Sequence, residues 1–76
     1  MKYLEIKVIE EKDKTTVYSI FSKSSGALLA EVKWYAQWRT YCLFPMSAAV
    51  WRFDCLEDIV NFIKEEMNKR KDKSEK

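Results

Sequence analysis

Histidine is absent from these 76 residues, glycine and proline occur once each, and there are two cysteines. Without histidine the commonest general base is missing, and a single glycine cannot build a glycine-rich phosphate loop. Two cysteines without histidine argue against the usual structural zinc sites. No apolar run approaches the roughly 20 residues that span a bilayer, so no membrane partner is expected. The first eleven residues alternate charged and apolar side chains, unlike a secretion signal, and a cytoplasmic location is expected.

What is present is a composition 47% hydrophobic, 14% aromatic and 34% charged, outside the low-hydrophobicity range of disordered chains. The chain has room for one core, and buries roughly 60% of its unfolded surface. Cys42 lies in an apolar run and Cys55 at the start of a helical pattern, where free cysteine packs as a small hydrophobe. The formal charge of +2 is uneven: residues 68–76 hold five of the 14 bases and two of the 12 acids, leaving the body at −1.

The pattern predicts an α+β domain over residues 1–67, an antiparallel four- to five-stranded meander with one C-terminal amphipathic helix on one face, then a charged, frayed tail over 68–76. From Tyr3 to Ile9 apolar and charged residues alternate with period two, and Thr15 to Phe21 reads as the partner strand. Ser22 to Gly26 turns the chain into a strand running to Tyr35, with Ala30, Val32 and Trp34 on one side. A reversal at Ala36-Gln37 starts the next strand at Trp38, and Pro45, lacking an amide hydrogen, ends it. Ala49 to Phe53 reads as a short fifth strand. Asp54 reads as a helix N-cap with Glu57 in a capping box, ahead of an apolar stripe of Leu56, Ile59, Val60, Ile63 and Met67.

The run Trp34-Tyr35-Ala36-Gln37-Trp38-Arg39-Thr40-Tyr41-Cys42-Leu43-Phe44-Pro45, followed by Cys55-Leu56, Ile59 and Phe62-Ile63, resembles a family of small uncharacterised proteins encoded by bacteriophages and prophages. These carry a similar Trp-Tyr-x-x-Trp-Arg-x-Tyr-x-x-x-Pro run ahead of a Cys-Leu-x-x-Ile-x-x-Phe-Ile helix. The resemblance covers residues 33–63. It implies a mobile-element origin and supplies no mechanism. The apolar segment between Pro45 and Cys55 departs from the family.

No arrangement of nucleophile, base and oxyanion donor is legible, so no enzyme and no cofactor are expected. Parity assigns Trp34, Trp38, Cys42 and Phe44 to the core and leaves Tyr35, Arg39, Tyr41 and Arg52, with Tyr18 and Lys33 as possible additions, for the face one helix leaves open. Tyrosine and arginine are enriched at protein interfaces, which points to a protein partner or a homodimer. The alternative is a single-stranded nucleic-acid module, with bases stacking on tyrosine and help from Lys69, Arg70 and Lys71. The body at −1 favours the protein partner, because phosphate binding ordinarily shows a basic excess. The mixed-sign tail reads as solvated surface.

Overall fold

The computed structural model describes residues 2–74, with side chains through Lys69. Four antiparallel strands, β1 (Leu4–Glu11), β2 (Thr16–Ser22), β3 (Leu28–Tyr35) and β4 (Thr40–Pro45), form one sheet in sequence order, and helix α1 (Phe53–Ser74) packs against it. This is the α+β meander that the alternation predicts. The 22-residue helix measures about 33 Å at 1.5 Å per residue, most of the molecule's 41 Å long axis.

The covered face carries Leu4, Tyr18, Ile20, Ala30, Val32 and Tyr41, all buried, and Cys55 and Ile59 press on it from the helix. Ile20 and Val32, on the two central strands, are fully buried. Ring packing extends this core: Tyr18 meets Phe62 edge to face at 4.8 Å and Trp34 meets Tyr41 in the same way at 5.5 Å. Most of its polar atoms are tied, the Trp51 indole N–H being buried without a partner among the described residues. Tyr18 Oη donates to Glu66 Oε1 at 2.6 Å, Lys69 Nζ donates to Oε2 at 3.1 Å, and the Thr16 amide donates to Tyr41 Oη at 3.0 Å. A buried carboxylate is tolerable only when held in this way.

Gly26 takes φ +76° in the β2–β3 turn, where its amide donates to the Ser22 carbonyl at 2.8 Å. The β1–β2 pairing shifts by one residue at Ile9, and the bulge leaves neighbouring Val8 and Ile9 both exposed. A second shift after Ile20 sets Phe21 opposite Leu28, and Leu29 packs on the core.

Four expectations are corrected. The reversal after Tyr35 uses four residues, not two: the amides of Trp38 and Arg39 both donate to the Tyr35 carbonyl, and Thr40 pairs with Tyr35. Any even-length connection pairs Trp34 with an odd-numbered residue, here Tyr41. Tyr41 and Leu43 therefore join the core, while Cys42 and Phe44 take the opposite face and Trp38 stands in the turn with 71% of its surface exposed. Second, residues 49–52 form no strand; Trp51 packs on the core from an irregular segment and Val50 points to solvent.

Third, the first helical bond, from the Leu56 amide, is accepted by the Arg52 carbonyl, so Asp54 lies inside the first turn and the capping box does not form. Asp54 Oδ1 accepts from the Cys55 amide instead. Fourth, the buried helical stripe is Cys55, Ile59, Phe62, Ile63 and Met67, whereas Leu56 and Val60 are exposed. The helix continues to Ser74. The frayed tail is an expectation resting on side chains from Arg70 onward and on residues 75–76, which lie outside the described residues.

Candidate functional site

The side of the sheet away from the helix carries Glu5 and Lys7 on β1, Ser19 and Phe21 on β2, Glu31, Lys33 and Tyr35 on β3, and Cys42 and Phe44 on β4. Register places them there: Glu5 faces Phe21, Lys7 faces Ser19, Ser19 faces Glu31, Glu31 faces Phe44 and Lys33 faces Cys42. Side-chain contacts agree. Lys7 Nζ sits 5.4 Å from the Phe21 ring centre and Lys33 Nζ 4.7 Å from that of Phe44, both within the range of a cation–π contact. Lys33 also approaches Glu31 at 3.8 Å. Lys7 and Lys33 stand against Glu5, Glu31 and, past the bulge, Glu10 opposite Val17, so the face has no basic excess.

At one end of this face three rings stand in a row. Tyr35 meets Trp38 at 5.0 Å with planes 88° apart, and Phe44 at 6.0 Å with planes 71° apart. The β3–β4 turn positions Trp38, and it does so through Arg39 at φ +56°, a left-handed conformation costing a residue other than glycine roughly 1–2 kcal/mol. Strain held next to an exposed tryptophan draws attention to this hairpin. Tyr35 Oη donates to Gln37 Oε1 at 2.5 Å, bracing the turn against the sheet.

The structure separates the four residues expected to act together. Tyr35 lies on the open face and is half-buried; Arg39 is exposed four residues on, at the tip of the same hairpin. Tyr41 is 6% exposed and faces the helix. Arg52 precedes the helix, 3.1 Å from Asp54 Oδ1 and 5.3 Å over the Tyr3 ring. That hydrogen bond holds the Arg52 guanidinium more firmly protonated and the Asp54 carboxyl below its ordinary value. Of the two further possibilities, Lys33 belongs to the face and Tyr18 to the core. Sequence reasoning missed Phe21, Trp38 and Phe44; parity counted across an even-length turn identifies Phe44.

A cleft of about 540 Å³ lies beside Arg52, between the start of β1, the β2–β3 turn and the irregular segment, with Lys2, Tyr3, Lys23, Val50 and Cys55 among its lining. Asp54 already occupies the Arg52 head and the Cys55 amide there. Cys55 lies beneath the helix and Cys42 on the far side of the sheet, so the two thiols are free. No cluster of three or more candidate metal ligands occurs among the described residues, and none of their helices is long and apolar enough to cross a membrane. No protein-family model, no curated protein and no solved structure matches the chain.

Proposed function

We propose that this protein is a non-enzymatic accessory protein, of the phage or mobile-element type its aromatic run resembles, that works by protein–protein interaction through the helix-free face of its sheet. The observation that carries the reading is the contrast in coverage: the helix buries one face, and the other displays Phe21, Tyr35 and Phe44, ending at exposed Trp38. Aromatic residues in this setting are the usual anchors of interfaces.

The single-stranded nucleic-acid reading has one feature in its favour, exposed Trp38 beside exposed Arg39. Against it stand the lack of a basic excess on the face and the ring geometry. Bases stack on faces presented in parallel, whereas rings 71–88° apart offer no continuous platform.

The test is solution mass across protein concentration, at low and high salt, with and without a mixed single-stranded oligonucleotide, while the rate of Cys42 alkylation is followed. A salt-resistant complex, with itself or an added protein, that slows alkylation of Cys42 supports the reading. Mass gained only with the oligonucleotide and only at low salt, with Cys42 slowed, transfers the face to nucleic acid.

A further inference from the structure

Independently of what the open face binds, we infer that two copies of this chain pair through β1, edge to edge and antiparallel about a two-fold axis at Ile6, to form one continuous sheet.

Backbone direction is the first argument. In an antiparallel ladder the N–H and C=O of one residue point to the same side, and successive residues alternate. β1 is an outer strand, with β2 on one side only. The Lys23 amide donates to the Tyr3 carbonyl at 3.0 Å, so Tyr3 and, by alternation, Glu5 and Lys7 turn their backbone groups to β2. Leu4, Ile6 and Val8 turn theirs outward, a row of donors and acceptors suited to a further strand. The opposite edge of the sheet is less suited. There the Met46 amide donates to the Leu29 carbonyl at 2.9 Å, which leaves Tyr41, Leu43 and Pro45 outward, and proline has no amide hydrogen to offer.

Side-chain complementarity is the second argument, and it selects the occupant. In a two-fold pairing about Ile6, Ile6 faces its own copy, Leu4 faces Val8 of the second copy, and Glu5 faces Lys7 of the second copy. The residues bonded across the axis are then the three that turn outward. Opposite charges meet on the helix-free side, while on the other side Val8, 54% exposed in the single chain, gains an apolar neighbour. Other centres fail. With Glu5 or Lys7 on the axis, a charge faces its own copy; with Leu4 there, Val8 has no partner; with Val8 there, the pairing runs into the bulge at Ile9. A strand that is its own complement in one register specifies a second copy, and the two-fold axis closes the assembly at two. Both helices then lie on one side of the joined sheet, and the two helix-free faces become one.

The experiment is sedimentation equilibrium of the full chain at concentrations up to about 1 mM, a range that populates even a small contact. Wild type should form dimers and nothing larger. Glu5→Lys and Lys7→Glu lie at exposed positions and should keep the wild-type denaturation midpoint. Each alone sets like charges opposite one another at two places, and should raise the dimer dissociation constant at least about tenfold. Mixed in equal amounts, the two variants present a basic strand to an acidic one, and dimer should return; the double variant Glu5→Lys with Lys7→Glu should dimerise by itself. Glu5→Lys leaves the contact of Lys7 with Phe21 in place, so its loss of dimer is a test that does not depend on that contact. A wild type that stays monomeric at the highest concentration, association beyond two copies, single variants that dimerise like wild type, or a mixture that stays monomeric overturns the proposal. Cys42 is on β4, at the other edge of the sheet, so the edge dimer leaves its alkylation rate unchanged. A dimer that slows Cys42 is a contact between open faces, which overturns the edge pairing and supports the reading of the face.

Discussion

The two faces of the sheet are made of similar residues and do different things. Beneath the helix, Tyr18, Trp34 and Tyr41 are locked by ring contacts, and Tyr18 and Tyr41 by hydrogen bonds to Glu66 and Thr16. On the other side, Phe21 and Phe44 meet lysine ammonium groups, Tyr35 meets Trp38 and Phe44, all three are half-buried, and Trp38 is exposed. Aromatic content alone does not distinguish core from binding surface. What distinguishes them is whether a second layer closes over the rings and satisfies their polar atoms, and one helix is sufficient for one face of four strands.

The largest effect expected from this contrast is at its centre. Ile20→Ala, on the covered face, should lower unfolding free energy by about 2–5 kcal/mol in urea melts, and Phe44→Ala, on the open face, by well under half as much. Equal losses would erase the distinction. Tyr18→Phe should cost about 1–2 kcal/mol, because Glu66 keeps Lys69 but loses its hydroxyl donor in a buried place.

The Tyr18 bond also sets an alkaline limb. Burial, then the bond to Glu66, raises the Tyr18 pKa far above the ordinary 10.0. A raised folded value means that this contribution is intact below the unfolded pKa and is lost as pH rises through the folded one. Stability should therefore begin to fall as pH passes 10.0, and the fall should be shallower in Tyr18→Phe. Equally steep limbs in thermal melts would show that Tyr18 is not responsible.

Smaller effects sharpen the comparison at the margins. Arg39→Gly should raise stability by up to about 1 kcal/mol, since relief of the left-handed strain outweighs glycine's greater unfolded entropy. Asp54→Asn should flatten the acid limb slightly. The hydrogen bond from Arg52 lowers the Asp54 pKa, so its contribution is present above the unfolded value and lost as pH falls through the folded one. An unchanged acid limb in thermal melts of the variant would show that this exposed pair contributes nothing measurable.

Much of the architecture was legible because period-two alternation and a helical stripe are direct consequences of burial on one side. Leu4, Ile6, Ala30, Val32, Ile59 and Ile63 declare themselves in this way. The turn at Gly26 was legible through the one residue suited to positive φ. The β3–β4 turn was not, because nothing in Ala36-Gln37-Trp38-Arg39 marks a left-handed residue, and arginine occupies that place. Turn length did not decide the faces of β4, because two residues or four both pair Trp34 with an odd-numbered residue; the roles of Tyr41 and Phe44 were legible from parity counted across the turn. Arg52 was separated from the others for a different reason: three alternating residues at 49–53 imitate a strand, but Trp51 packs on the core by itself.

The most direct test of two faces with two roles needs no ligand, because each face carries one thiol. Cys42 lies half-buried on the open side and Cys55 is buried beneath the helix. Alkylation of both should be followed in the native protein as denaturant is raised from zero. The structure predicts that Cys42 reacts without unfolding, at a rate nearly flat in low denaturant, while Cys55 reacts only as fast as the whole domain opens. Identical, denaturant-dependent rates at the two cysteines would mean that the open face is closed in solution, and would contradict the account.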